Sequence, residues 1–480
     1  TSGNAGGVVT VDGTISGDGT TTMVSDVIDA NASVTTDLVI NTLTSNGAID
    51  IGGTAGVLDL DATSVTSLFN SGSNRNVTVG ANASTGVVTV TTAINNNTTS
   101  LTLNSGAFTN TAAITAGDLD LNASGAVNIN EAIATTNNVD IVSTGAAIAS
   151  NASGTITSSA GSIILDSDAS TVTTGAALSA IGSGGDVTIT AAGAISQTGD
   201  ITADDAISVS TTIGAITFNS AATSNNGNFT IVTADSGVSA TGGGKLTAND
   251  LSISASGTVD ITTAVSTLDV NATAGKITVV DDDDITLQNM VTTEGTTSAL
   301  SVTSTAGSIS SDSGTSLQVT SGEMILNAAN DITVSVTGGA TFNTLSENGA
   351  IAIDGGGNTV SFGNDVGGNN VLTATSLSVT NATTINTGDD AVTVTSGDLV
   401  LTASDDITVT GALTASSATD NNITLTAGTD TGDLLSIGPG AVSATGSVSL
   451  SGAGVTTTGT VTSDSDTDDT NGVNLTAGID

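Results

Sequence analysis

A short motif recurs along this 480-residue chain and constrains its fold more than any other feature. Two turn residues, usually Gly or Asn followed by Asp, Asn or Ser, precede an apolar–x–apolar opening. Gly117-Asp118 stands before Leu119-Asp120-Leu121, Asn137-Asn138 before Val139-Asp140-Ile141, and Gly185-Asp186 before Val187-Thr188-Ile189. Gly161-Ser162, Gly227-Asn228, Gly397-Asp398, Asn421-Asn422 and Gly446-Ser447 introduce further copies. The openings fall at 38, 58, 77, 101, 119, 139, 163, 187, 207, 229 and 251, and resume at 351, 377, 399, 423, 448 and 473. Within most units a second small-residue turn, such as Gly193-Ala194-Ile195 or Gly214-Ala215-Ile216, announces another strand.

A unit of roughly 20–25 residues with two or three short strands is too small to bury its own apolar face, so it must stack on its neighbours. The fold expected is all-β, a right-handed parallel β-solenoid (β-helix) of about 20–25 residues per coil. Coils would lie ~4.8 Å apart, and about twenty of them would make a rod on the order of 100 Å long. Val, Ile, Leu and Ala are expected inside, with Thr, Ser, Asp and Asn outside in ladders. Phe69, Phe108, Phe218, Phe229, Phe342 and Phe362 are expected to fill wider core slots. The whole of 1–480 reads as a single continuous solenoid, with an irregular stretch near 268–300.

Composition closes off the other classes. Helix surfaces draw on Glu, Lys, Gln and Arg, which are nearly missing here. A hydrophobic content of 37% and a mean hydropathy of +0.28 argue against disorder. A string of immunoglobulin-like sandwiches would need a longer period and a bulky aromatic core, and the chain has no Trp or Tyr. No apolar run approaches the ~18–20 residues of a membrane helix, so no membrane insertion is expected. With Lys+Arg 3 against Asp+Glu 46, the net charge of −43 excludes a surface for nucleic acid or anionic lipid. The absence of Cys excludes disulfides and zinc–thiolate sites. A chain beginning at Thr1 reads as a mature, processed or excised segment.

Two segments carry a resemblance, GDVTITAAGAISQTGDITADDAISVSTTIGAITFNS at 185–220 and GDLVLTASDDITVTGALTASSATDNNITLTAG at 397–428. They resemble the haemagglutinin-type and autotransporter-passenger β-solenoid repeats of large bacterial surface proteins. The resemblance covers most of the chain, and it implies a β-solenoid at the cell surface.

Candidate sites are few. Carbohydrate-cleaving β-helices need carboxylates together with Arg, Lys, His or aromatic platforms. Only Arg75, Lys245 and Lys276 are available, and a Ser nucleophile without a His or a well-placed Lys has no base, so no catalytic residue is expected. Asp464, Asp466, Asp468 and Asp469 place several hard oxygens on one tight loop, as calcium requires. Asp281, Asp282, Asp283 and Asp284 form a second calcium candidate. A solvated acidic loop is the plainer reading of both. Sequons such as Asn122-Ala123-Ser124 and Asn151-Ala152-Ser153 are expected by chance in so Asn- and Ser-rich a chain. Thr188-Ile189-Thr190 and Thr393-Val394-Thr395 suggest the T-x-T rows of an ice-binding face, but varying coil lengths would misalign it.

The function expected is that of an extracellular structural protein, the subunit of a surface fibre, matrix or layer. Its partners would be further copies joined head to tail into a filament by strand addition at the solenoid ends, with other surface components or glycans as further partners. The alternatives are an adhesin stalk that presents a separate binding domain, and the ice-binding solenoid.

Overall fold

The computed structural model describes residues 8–11, 20–25, 27–30, 37–42, 57–60, 77–80, 87–292, 299–311, 317–319, 324–335, 340–346, 349–362, 372–389, 391–416, 421–463 and 472–477. Among them every regular element is a β-strand and none is a helix. The strands run parallel and stack into a β-solenoid of about 15 turns of about 22 residues. The chain divides into two compact units, Thr1–Asn249 and Asp250–Asp480.

Between Val127 and Thr233 each turn of chain supplies one five-residue strand and two three-residue strands. Val139–Ser143, Ile148–Ser150 and Ile156–Ser158 make one coil, and Ile163–Ser167, Val172–Thr174 and Leu178–Ala180 make the next. Alternation along each strand sends every second side chain inward. Leu119, Val139, Ile163, Val187, Ile207 and Phe229 therefore lie one above the next. Val127, Ile148, Val172, Ile195 and Ile216 form a second column, and Ile114, Ile133, Ile156, Leu178 and Ile201 a third. All are buried. A pleated face packed into the core favours such β-branched residues, and each full burial contributes roughly 1.5–3 kcal/mol.

The wider slots take Phe108, Phe218 and Phe229, with Phe218 and Phe229 edge to face at 5.7 Å between centroids. Phe362 is buried as well, while Phe69 and the side chain of Phe342 lie outside the described residues.

The openings at 38, 58 and 77 do not form one column. Leu38 pairs directly with Val77, and Val77 with Leu101, whereas Leu58 pairs with Val88 and Val88 with Phe108. The opening at 58 thus belongs to a different face, and a single coil spans Leu38 to Val77. Apolar–x–apolar openings occur on every face of a coil, so their spacing alone does not assign them.

In the second unit the stretch 268–300 carries the strands Val259–Ala272, Ile277–Asp281 and Ile285–Thr292, with 293–298 outside the described residues. Further along, the long strand changes face. Ile277–Asp281, Leu300–Ser304 and Met324–Ala328 stack in a column that continues into Ala340–Ser346. The next five-residue strand, Ala350–Asp354, stacks instead on Ile332–Ser335 from the adjoining face. Ser376–Ala382, Leu399–Ala403, Ile423–Thr426 and Val448–Gly452 follow it in that column. A bulge between Val379 and Ala382 leaves Asn381 at φ 52°, where its Nδ2 donates to Asp354 Oδ1 at 2.9 Å.

Candidate functional site

The turn doublet is the most repeated polar feature of the surface, and it works between coils. Its second residue offers a side-chain oxygen to the backbone N–H of its counterpart in the next coil. Asp118 Oδ1 accepts from Asn138 N at 3.2 Å, Asn138 Oδ1 from Ser162 N at 3.0 Å, Ser162 Oγ from Asp186 N at 3.1 Å, and Asp186 Oδ1 from Ala206 N at 2.9 Å. The second unit repeats the device, with Asp398 Oδ1 accepting from Asn422 N at 2.8 Å and Asn422 Oδ1 from Ser447 N at 2.9 Å. These N–H groups sit at turns, where the strand ladder no longer supplies an acceptor. Glycine at the first doublet position makes room for that acceptor. A Cβ on Gly161 would stand 2.5 Å from Asn138 Oδ1, and one on Gly446 would stand 2.6 Å from Asn422 Oδ1.

Inside the opposite end of the long strand runs a column of small polar residues. Ser143 Oγ donates to the carbonyls of Ala146 at 2.7 Å and Gly125 at 2.8 Å, and Ser167 Oγ donates to Ala146 O at 2.9 Å. Thr211 and Thr233 both donate to Gly214 O. These hydroxyls satisfy carbonyls that the turn leaves inside the coil.

At the corresponding end of Ile277–Asp281 stands a carboxylate. Asp281 is 0% exposed and is paired in register with Thr263 on one side and Ser304 on the other. Its Oδ2 accepts from Thr263 Oγ1 at 2.7 Å and Val265 N at 3.1 Å, and its Oδ1 accepts from Asp283 N at 3.0 Å. Burial pushes its carboxyl above the ordinary range, and the three hydrogen bonds pull the other way. Asp282 is half-buried, while Asp283 and Asp284 are exposed. Asp284 Oδ1 accepts from Ser308 N at 2.7 Å, a doublet-type contact. The four consecutive aspartates thus point to different tasks, and the fully buried one follows from parity, since Ile277, Val279 and Asp281 alternate inward. Asp464, Asp466, Asp468 and Asp469 lie outside the described residues. Among the described residues no group of three or more acidic side chains is placed to hold a metal ion.

The outward positions of the long strands carry a second acidic array. Asp120 and Asp140 are register partners, and Asp166 lies one coil further on, in the adjacent outward column. Oδ1 of Asp140 and of Asp166 is enclosed without a protein hydrogen-bond partner. Burial first, then the Asp120 and Asp166 charges, raises the Asp140 carboxyl, and burial with Asp168 raises that of Asp166. Alternation places these residues outward, and the L-D-L and V-D-I openings at 119–121 and 139–141 are the signal that stacks Asp120 on Asp140.

The Thr-x-Thr rows do not repeat from coil to coil. Thr188 and Thr190 lie between Ile164 and Asp166 on one side and Ser208 and Ser210 on the other. Thr393 belongs to a single outward column with Thr373, Thr414, Ser443 and Thr462. Beside that column a groove of about 450 Å³ is lined by Ser416, Ser443, Thr445, Thr462 and Ser463, neutral hydroxyls with no acid or base among them. Of the three cationic residues, Arg75 lies outside the described set. Comparison of the chain with protein-family models, curated proteins and solved structures finds no match.

Proposed function

We propose that this chain is a structural protein of the cell exterior, the subunit of a surface fibre, matrix or layer that assembles through its solenoid ends. The observation that carries the reading is the investment of polar side chains in coil-to-coil contacts. The doublet ladder and the buried hydroxyl column use their oxygens to join neighbouring coils, as expected of a chain selected for stacking. A net charge of −43 keeps such a material soluble until it assembles. The resemblance of 185–220 and 397–428 to bacterial surface repeats supports an extracellular place. Among the described residues the strand Val473–Ala477 pairs with Val448–Gly452 on one side, and a head-to-tail contact would cover its other side. Its Val473 and Leu475 are 41% and 62% exposed, whereas their register partners Val448 and Leu450 are buried. Negative-stain microscopy of the purified chain at rising concentration tests the proposal. Filaments or sheets are the expected result, and isolated particles at every concentration would favour a stalk that presents another domain.

A further inference from the structure

Low-complexity coils pose a register problem. The inward pairs Val259/Ile277 and Ile261/Val279 are interchangeable in size and chemistry. A slide of two residues along the strand keeps inward side chains inward and outward ones outward, so the apolar core barely distinguishes it from the native pairing. Ser, Thr and Ala at the strand end are equally undemanding, because a hydroxyl finds a turn carbonyl in most positions. Asp281 is different. Ser143, Ser167, Thr211 and Thr233 of the first unit's column donate to carbonyls, whereas the Asp281 carboxylate can only accept, and it is wholly enclosed. In the native pairing it meets Thr263 Oγ1 and Val265 N on the preceding strand and Asp283 N on its own turn. If Ile277–Asp281 slid by two residues so that Val279 faced Val259, Asp281 would face Ile261 in the apolar core. There it would leave both donors of the neighbouring strand behind. A slide the other way would set it against Val265 and Val279 against Thr263, taking the carboxylate away from its Thr263 hydroxyl donor and leaving that buried hydroxyl against an apolar side chain.

We propose that Asp281 is a register pin, a buried carboxylate that makes one alignment of Ile277–Asp281 on Val259–Ala272 the only one with its polar groups satisfied. Buried ionic groups often add little to stability, and fixing register is their best-attested structural use. The Ser or Thr found at the corresponding strand end elsewhere would leave the slid alignments open.

The chain has no native cysteine, so paired cysteines report the alignment directly. Asp260 and Thr278 are outward register partners, and a slide that set Val279 against Val259 would set Val280 against Asp260. Adjacent parallel strands hold such partners within disulfide reach, and a two-residue offset takes them beyond about 7 Å. The Asp260→Cys/Thr278→Cys and Asp260→Cys/Val280→Cys pairs are oxidised during refolding, each with Asp281 and with Asp281→Ser. With Asp281 present, only the first pair is expected to cross-link. With Asp281→Ser the second is expected to rise several-fold, while the melting temperature stays equal or increases. Equal cross-linking of the second pair in both backgrounds would overturn the proposal. If Asp281→Ser gives no β-spectrum, Asp281→Asn replaces it as the second background and the same ratio decides.

Discussion

The two units build a solenoid from the same vocabulary and keep its phase differently. In the first, the long strand stays in one column from Leu119–Ala123 through Phe229–Thr233. In the second, that column goes on past Ala340–Ser346 in short strands such as Val360–Phe362, and the long strand resumes on the adjoining face at Ala350–Asp354. Ile332 and Val334 of a short strand stack on Ile351 and Ile353 of a long one without disturbing the alternation. Inward–outward parity is therefore what must match between coils. Strand length is free to migrate around the coil, because the turn, rather than the ladder, sets where a strand stops.

The sharpest way to break this comparison is to empty the core of one unit. Ile189→Ala in the first unit and Leu401→Ala in the second each remove a fully buried side chain and should cost about 2–5 kcal/mol. Coils contact mainly their neighbours, so lost hydrogen-exchange protection should centre on the mutated unit in each case. Uniform loss across both units would show that they do not behave as separate bodies.

The next effect should be the same in both units. Gly161→Ala and Gly446→Ala each drive a methyl into the acceptor of the coil below. Losing that contact and shifting the turn should cost roughly 1–3 kcal/mol by thermal melting. A neutral result at either position would separate the doublets of the two units, and the shared device would then be wrong. Removing the acceptor itself is milder. Asn138→Ala and Asn422→Ala should each cost about 1 kcal/mol, since the freed N–H lies near water.

Smaller per residue is the response to pH. The carboxyls of Asp140 and Asp166 in the first unit and Asp281 in the second are raised above 3.8 by burial. A carboxyl raised in the folded state binds its proton more tightly there than in the unfolded chain. Its favourable contribution is complete below the unfolded value and is lost as pH rises through the folded one. Melting temperature should therefore climb as pH falls from neutral towards about 4. Overall repulsion at −43 acts in the same direction, so the specific effect is the difference from Asp140→Asn and Asp281→Asn, whose curves should be flatter. Curves parallel to that of the parent chain would remove these residues from the account.

Much of this architecture is legible in the chain itself. Val139-Asp140-Ile141 and Gly185-Asp186 declare strand and turn through alternation and turn chemistry, and the unit length demands stacking. Three things are not legible there. The opening at 58 looks like those at 38 and 77, because a face is a property of the closed coil and leaves no mark on a local pattern. The shift at Ala350–Asp354 preserves parity, so the sequence registers it only as a change of spacing. Asp281 hides at the head of a four-residue acidic run that reads as a solvated loop, although the parity of Ile277 and Val279 already directs it inward. The doublet is recognised as a turn, yet its role as an acceptor for the next coil appears only when coils are stacked.

The central claim, parallel coils stacked in the stated register in both units, is tested most directly by cysteine pairs at outward register partners. Thr188→Cys/Ser208→Cys lies in the first unit and Val400→Cys/Thr424→Cys in the second. Both pairs should form intramolecular disulfides in the folded chain, because adjacent strands hold such partners about 5 Å apart. Thr188→Cys/Thr230→Cys, two coils apart, should not. Cross-linking of the two-coil pair, or failure of both adjacent pairs in a chain with an intact β-spectrum, would contradict the stacking.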